Sequence, residues 1–440
     1  MGRLLRTGLN AGTAAPEVVG GQGVYFHLSD GRKVLDGSNT GGPLGHGHPR
    51  LAEALRKAAG LPMVNEGWNW QGRDEAAERL FEIGLAGEEH WAGAVRFCLS
   101  GSEANDLALS LSQALTGRKA IATRERAYHG LVGLSRDVTV QPHWHGGIAA
   151  PDGGTKVPPP GALVHVLPAP EGALYIAGGP AAPRPAPLDQ RLAGAEAKLA
   201  DSAAIIVDYT QGGFYHDGAY QDAVARLARK AGALWIADEV VTGLGRAGRP
   251  FAFQGGESRP DIVTLGKGLG GGMVSVAAVI LSKDVAAELS GRSWQNFGTL
   301  RCHPMAMAAV SAYLAIVNDE GLFARVTALE KLFARRLSEI AARHPSVARV
   351  AGKGLHWTVE LHGPDWRDWL ADTPEPPVAS RVAADALDRG AVIGTSGEQI
   401  SLFLAPPLVI SDAEAEQLLA ILDDSLGLAD REHNRMMERA

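Results

Sequence analysis

Apolar residues fall into short, nearly continuous runs that do not alternate with polar residues. The runs are VRFCLS at residues 95–100, AAIIVDY at 203–209, ALWIADEV at 233–240, DIVTLG at 261–266 and VAAVILS at 276–282. Runs of this length without alternation are typical of parallel strands buried on both faces. Each run is therefore predicted to be a strand in a sheet that helices cover on both sides.

Amphipathic stretches separate several of these strands. They predict helices at residues 102–115, 188–199 and 221–231, and Gly232 is expected to end the third. The alternation of strands and helices favours an α/β fold with a mostly parallel sheet in a large domain. The proline-rich residues 151–187 show little periodicity, so we expect them to form an extended surface segment.

The pattern changes after about residue 303. Helices are predicted there at residues 304–318, 322–343 and 378–389, a strand at 355–361, and a last helix after the capping-box pattern that begins at Ser411. This order indicates a smaller α+β domain. The expected organisation is an N-terminal segment contributing to the small domain (1–60), a large α/β domain (61–303) and a C-terminal small domain (304–440).

Composition excludes several classes of protein. A net charge of −7 and the lack of a basic run argue against nucleic-acid or membrane-surface partners. Two cysteines, Cys98 and Cys302, are too few for a disulfide framework or a four-cysteine zinc site. His143 and His145 have no third ligand nearby, so no metal is expected. Without an apolar core for a signal peptide or a membrane span, the chain is expected to be cytoplasmic.

Two charged side chains follow neighbouring predicted strands. Asp238 lies near the end of the strand ALWIADEV, and Lys267 follows DIVTLG. Ligands of open α/β sheets bind at the carboxyl ends of the strands, where a lysine with a lowered pKa can form a Schiff base. A helix cap or a structural ion pair is the alternative for Asp238. A phosphate-binding loop is excluded for Lys267, because Gly268 stands where Ser or Thr is required.

Two further segments point to a ligand at the same edge. Gly101 and Ser102 begin a predicted helix, whose N-terminal N–H groups can bind an anion. Tyr128 and His129 follow another short strand, and an aromatic ring there can stack on a flat cofactor. Taken alone, these residues are equally compatible with a helix cap and a core tyrosine. Together with Asp238 and Lys267 they match the phosphate, ring face, pyridinium nitrogen and aldehyde of pyridoxal phosphate.

With these motifs in order, the chain resembles the class III pyridoxal-phosphate aminotransferases. This group includes ornithine and ω-amino-acid aminotransferases and glutamate-1-semialdehyde aminomutase. The resemblance extends from LGHGHPRLAEAL at residues 44–55 to LAPPLVIS at 404–411, and DEVVTGLGRAG with Lys267 is its most specific part. It implies a fold-type I enzyme that moves an amino group from an amine or amino acid to a keto or aldehyde acceptor by a ping-pong mechanism. An aminomutase, an epimerase or racemase, or a lyase is the alternative.

The resemblance also implies residue roles. Lys267 forms the internal aldimine, a Schiff base with the cofactor, and moves the proton, while Asp238 pairs with the pyridinium nitrogen. Thr299 reaches the phosphate of the neighbouring subunit, which implies a homodimer with its active site at the interface. The other implied cofactor contacts are Gly101 and Ser102 at the phosphate, Tyr128 and Val240 on the ring faces, Gln211 near the 3′-hydroxyl, and His129.

The sequence departs from the family where the substrate is expected. Many members have an arginine at the position of Phe403, where it binds a carboxylate, and a glutamate at the position of Asp208. If Phe403 lines the pocket, Trp68 and Trp70 would complete an apolar wall for a bulky amine. The alternatives are that another arginine such as Arg301 binds the carboxylate, that the alignment slips by a residue, or that the tryptophans pack a dimer interface.

Overall fold

The protein is described by a computed structural model over residues 17–141, 146–149, 155–170, 175–177, 188–216, 218–362, 376–396 and 400–439. Its strands are β1 (Val18–Gln22), β2 (Tyr25–Leu28), β3 (Lys33–Asp36), β4 (Ala92–Cys98), β5 (Ala120–Arg124), β6 (Ile148–Ala149), β7 (Thr155–Lys156), β8 (Val164–Leu167), β9 (Tyr175–Ala177), β10 (Ser202–Asp208), β11 (Leu234–Asp238), β12 (Ile262–Leu265), β13 (Ala277–Ser282), β14 (Val347–Lys353), β15 (His356–Leu361), β16 (Ala391–Val392), β17 (Gly394–Thr395) and β18 (Ser401–Leu404).

Its α-helices alternate with these strands in the first part of the chain and dominate the last part. They are α1 (Pro49–Ala58), α2 (Gln71–Arg79), α3 (Gly101–Thr116), α4 (Gly133–Asp137), α5 (Leu188–Arg191), α6 (Ala195–Leu199), α7 (Gly218–Ala231), α8 (Lys283–Glu288), α9 (Pro304–Asp319), α10 (Leu322–Arg343), α11 (Val378–Asp388) and α12 (Asp412–Arg439). Within the described ranges, no helix is both long and apolar enough to cross a membrane.

A seven-stranded sheet forms the centre of the large part, in the order β4-β13-β12-β11-β10-β5-β8. All its strands run in one direction except β13, which is antiparallel to both neighbours. Ile206 packs with the side chains of α3, whereas Ile205 and Val207 pack on the opposite side with Val224 of α7. Both faces of β10 are therefore buried, as its unbroken apolar run predicts. The α/β fold and the five predicted strands are confirmed, but β13 runs antiparallel to its neighbours and is not the parallel strand that its apolar run predicts.

Two sequence-based predictions fail in the middle of the chain. The helix expected at residues 188–199 is two short helices, α5 and α6, because Gly194 adopts a left-handed backbone with φ 78° and interrupts it. The proposed surface segment at 151–187 contains β8, which pairs in parallel with β5 at the edge of the central sheet. Val166 of β8 is 46% exposed, so this strand lacks the unbroken burial that marks the central strands. Residues 151–154, 171–174 and 178–187 lie outside the described ranges.

The last part of the chain packs its helices on a smaller antiparallel sheet of five strands, β17-β18-β15-β14-β9. The long helices α9, α10 and α11 confirm their predictions. The capping box also forms, since the Glu414 N–H donates to Ser411 Oγ at 3.2 Å and the Ser411 N–H donates to Glu414 Oε2 at 2.9 Å. The N-terminal strands β1–β3 make a separate sheet with β16 and so lie against this part.

Candidate active site

Strand register brings three polar residues side by side at one edge of the central sheet. Asp208, Asp238 and Thr264 are paired across β10, β11 and β12. Lys267 follows β12 by two residues, and Gly101 begins α3 shortly after β4. The carboxyl ends of the parallel strands therefore form the ligand-binding edge that the sequence predicts.

Asp238 is buried within a hydrogen-bond network. Its Oδ2 accepts from Asn105 Nδ2 and lies opposite His129 Nδ1, each at 2.7 Å, and its Oδ1 accepts from the Val240 N–H at 2.9 Å. Behind this first layer, Thr264 Oγ1 donates to Asn105 Oδ1 at 2.6 Å. These contacts fix the carboxylate and offset the cost of burying its charge.

Lys267 stands where two spaces meet. The inner pocket is lined by Gly101, Ser102, His129 and Asp238, and the outer cleft by Arg126, Gln141, His356 and Phe403, among other residues. Tyr128, Thr210, Gln211, Val241 and Lys267 line both spaces.

Desolvation lowers the pKa of the Lys267 ammonium, while the carboxylates of Asp238 and Asp208 oppose this shift. The residue has a φ of 40°, a left-handed conformation that is uncommon for a side-chain-bearing residue and concentrates at functional sites.

The start of α3 is built for close approach. The Ser100 hydroxyl caps the helix by accepting from the Glu103 N–H at 3.2 Å, which leaves the N–H groups of Gly101 and Ser102 at its first turn. A Cβ on Gly101 would lie 2.6 Å from Val240 Cγ1, so only glycine allows these segments to meet. The inner pocket therefore places an anion site at the N-terminus of a 16-residue helix.

Most of the predicted site residues line one of the two spaces, and three line neither. Gly101, Ser102, Tyr128, His129, Gln211, Asp238, Val240 and Lys267 all line the inner pocket, and Phe403 lines the outer cleft. Trp68 and Thr299 are exposed, while Trp70 packs over Gly72, and none of the three lines either space in the protomer. The apolar wall expected from the two tryptophans is therefore absent from this cleft, and their alternative role in a dimer interface stays a prediction.

Asp208, which stands at the family's glutamate position, and Arg301, the alternative cation for a substrate carboxylate, both have partners within the protein. Arg124 Nη2 pairs with Asp208 Oδ1 at 2.5 Å, and both side chains are buried. Arg301 Nε donates to Glu103 Oε1 at 2.8 Å and its Nη1 donates to Asn296. Arg301 does not line the outer cleft of the protomer.

Sequence reasoning missed several residues that build the site. Asn105 and Thr264 hold Asp238, whereas Arg126 and His356 line the outer cleft. Asn105 lies one helical turn after the Ser100–Ser102 segment, a spacing that places it on the same end of α3 and was a usable signal. His356 comes from the small sheet and carried no such signal.

No group of three or more potential metal ligands occurs in the part of the chain that the structure describes. His143 and His145, the pair weighed as metal ligands, lie outside the described residues.

The inner pocket suits pyridoxal phosphate on four counts. It offers helix N–H groups for the phosphate, a half-buried tyrosine for one ring face, a buried carboxylate for the ring nitrogen and an amine with a lowered pKa for the aldehyde. Gly101 and Gly266 both pack closely against Val240, because a Cβ at either position would lie 2.6 or 3.1 Å from Val240 Cγ1.

Comparisons with known proteins agree with this site. The family model for Aminotransferase class-III matches residues 11–426. An acetylornithine aminotransferase of Caldanaerobacter subterraneus is 30% identical over 93% of this chain and 94% of its own length. An S-selective transaminase from Bacillus megaterium superposes with a TM-score of 0.86 at 25% identity, over 98% of this chain and 96% of that one.

A third relative carries a different activity in its description. A phospholyase from Arthrobacter, solved in complex with phosphoethanolamine, superposes with a TM-score of 0.79 at 27% identity, over 94% of both chains. The family match nevertheless spans nearly the whole chain. This chain therefore belongs to the class III aminotransferases, pyridoxal-phosphate enzymes of fold type I that transfer amino groups between small molecules.

Proposed function

We propose that the chain transfers an amino group from an amino-acid or amine donor to a keto or aldehyde acceptor at Lys267, with donor and acceptor entering in turn. The observation that carries this proposal is the position of Lys267, which lines both the inner pocket with Asp238 and the outer cleft. One side chain thus faces the space suited to the cofactor and the space open to substrates.

The chain's residues have distinct tasks in this proposal. When bound, pyridoxal phosphate supplies an electrophilic aldehyde and an electron-accepting ring. The N–H groups of Gly101 and Ser102 would bind its phosphate, and the carboxylate of Asp238 would keep the ring nitrogen protonated. Lys267 Nζ, with its lowered pKa, accepts the proton from the substrate carbon that bears the nitrogen and later returns it.

His129 and Asn105 are proposed to act through Asp238. Each contacts Asp238 Oδ2 at 2.7 Å, so the carboxylate is held in one orientation. His129 Nε2 is in turn 2.9 Å from Thr123 Oγ1, and both of its ring nitrogens are thereby engaged. His129 is therefore a positioning residue and does not itself exchange protons with substrate.

We also propose a homodimer. Exposed apolar residues flank the exposed Thr299 in sequence and also occur at positions 63–68, a segment that the Gly298 N–H contacts by donating to Glu66 Oε2 at 2.8 Å. The large side chains among them are Met63, Trp68, Phe297 and Leu300, exposed by 60%, 69%, 62% and 53%. Large exposed apolar residues are typical of a subunit interface, where Thr299 could serve the partner's phosphate site. Two free cysteines favour a reducing, cytoplasmic location.

A lyase is the second candidate function, because a relative at 27% identity is a phospholyase solved with phosphoethanolamine. Elimination begins with the same proton removal from the carbon beside nitrogen, so the inner pocket serves either reaction. An aminomutase or an epimerase would begin in the same way. The product formed without an acceptor distinguishes these reactions.

The experiment incubates the cofactor-loaded protein with single donors and no acceptor. The donors are L-glutamate, β-alanine, γ-aminobutyrate, 1-phenylethylamine and phosphoethanolamine. A transaminase converts at most one equivalent of donor per active site to its carbonyl product. Continued release of inorganic phosphate would establish the lyase, and continued formation of an isomer would establish the aminomutase or epimerase. Failure to bind the cofactor at all would contradict the proposal.

A further inference from the structure

The outer cleft carries positive charge without an opposing carboxylate. The described residues that line the cleft include two basic side chains, Arg126 and Lys267, and no Asp or Glu. His356 adds no charge, because burial and the nearby Arg246 and Lys267 lower its pKa to about 3. With Lys267 committed to the chemistry, Arg126 is left as the cation available to a substrate.

Arg126 is held in place by its surroundings. Its backbone has a φ of 57°, a conformation that costs an arginine free energy and is kept only where packing enforces it. A Cβ on Gly212 would come within 2.7 Å of the Arg126 Cβ, so the glycine lets this turn close on the arginine stem. The guanidinium lies 5.6 Å from the centre of the Phe214 ring, within reach of a cation–π interaction.

Three other arginines near the site are paired with carboxylates of the protein, whereas Arg246, which lies near His356, donates to backbone carbonyl groups and does not line the cleft. Arg124 pairs with Asp208, Arg301 with Glu103, and Arg349 with Glu360. Arg349 packs on the same Phe214 ring, at 5.2 Å, but does not line the cleft. Arg126 has no carboxylate partner among the residues that the structure describes, and its charge therefore faces the cleft uncompensated.

A second observation points to a polar ligand. Gln141 lines the outer cleft, Thr210 lines both spaces, and the two are 6% and 2% exposed; Gln141 Oε1 and Thr210 Oγ1 nevertheless have no hydrogen-bond partner among the described residues. Buried polar atoms are nearly always satisfied, so unpaired ones beside a cleft mark where a ligand binds. The Thr210 hydroxyl can donate to an anion, and the Gln141 oxygen can accept from an amine.

We propose that Arg126 binds the carboxylate of the amino-acid donor and of the keto-acid acceptor, so that the enzyme prefers carboxylated substrates to uncharged amines and aldehydes. This inference rests on the proposed transaminase function and assigns its substrate class. A planar guanidinium matches a carboxylate with two parallel hydrogen bonds.

Ligand binding tests the inference without turnover. Isothermal titration of the cofactor-loaded enzyme uses glutarate, a dicarboxylate that cannot react. We expect Arg126→Gln to raise the dissociation constant of glutarate at least tenfold, and Arg126→Lys to raise it less because the charge is kept. Arg349→Gln is the matched control, since that arginine contacts the same ring from outside the cleft, and its dissociation constant should stay within twofold of wild type.

Kinetics supply a second readout that general damage to the fold cannot imitate. The ratio of kcat/KM for pyruvate to that for propanal should fall at least tenfold in Arg126→Gln, because only pyruvate carries a carboxylate. An unchanged ratio in an active variant would overturn the inference and leave the transaminase standing. A wild-type enzyme that converts no donor would instead refute the proposed function. Weakened phosphoethanolamine binding with glutarate binding unchanged would assign Arg126 to phosphate and overturn the inference.

Discussion

The inner pocket and the outer cleft share one lysine but differ in the charged side chains that line them. Two buried carboxylates, Asp208 and Asp238, line the inner pocket, and Asp238 is held by Asn105, His129 and a backbone N–H. No Asp or Glu occurs among the described residues that line the outer cleft, where Arg126 supplies a positive charge. The inner pocket therefore suits the protonated ring nitrogen of the cofactor, whereas the outer cleft suits an anionic group of the substrate.

The largest effect should come from the residue that joins the two spaces. Lys267→Ala removes the only side-chain amine that lines the described parts of both, and with it the proton carrier. We expect donor conversion in a single turnover to slow by at least about a thousandfold. Lys283→Ala, at an exposed position, is the matched control and should convert donor at the wild-type rate. Turnover in Lys267→Ala close to that of the control would contradict the assignment.

Asp238→Asn tests the inner pocket alone. The substitution keeps the shape of the side chain but removes the charge that His129 and Asn105 support. Loss of a charge-assisted contact of about 1.5–3 kcal/mol should reduce kcat by roughly ten- to a hundredfold. Stopped-flow rates with a single donor measure this change, and Asp284→Asn is an exposed control. A kcat that does not change would show that the carboxylate is only structural.

Glu239, the residue after β11, is expected to make the free energy of unfolding depend on pH. Burial raises the pKa of its carboxyl to about 7, so the folded state holds a proton that the unfolded state loses at lower pH. Stability should therefore fall as pH rises from about 5 to 8, by up to about 3 kcal/mol. Glu239→Gln should flatten this decline in urea unfolding measured across that range. A decline as steep as that of wild type would assign it to other groups.

Gly394→Ala perturbs the outer cleft while leaving the inner pocket intact. A Cβ on Gly394 would lie 2.3 Å from the Phe403 ring, so the ring must move within the cleft. We expect KM to rise about fivefold for a bulky donor, with the cofactor dissociation constant unchanged. Gly60→Ala, at an exposed site with no close neighbour, is the control. Equal effects on cofactor and donor binding would show that the two spaces are not independent.

The same contrast explains what the sequence could predict. Asp238 and Lys267 follow unbroken apolar strands, so a local pattern placed both at one edge of the sheet. Arg126 reaches the cleft only because Gly212 and Phe214, far away in the chain, pack around it. Contacts of this kind depend on tertiary packing and leave no periodic signal.

The fold shows the same limit. Strand β10 was predictable because every residue in it is buried, whereas β8 at the sheet edge was not, because its burial is uneven. The single helix expected across Gly194 failed for a local reason, since glycine interrupts a helix when its backbone turns left-handed.

The most direct test of the central assignment locates the cofactor on the chain. Borohydride reduction of the cofactor-loaded protein fixes pyridoxal phosphate to the lysine that holds it, and peptide mass spectrometry then identifies that lysine. The account predicts the added mass on the peptide that contains Lys267 and on no other. Modification of a different lysine, or none after full loading with cofactor, would contradict it.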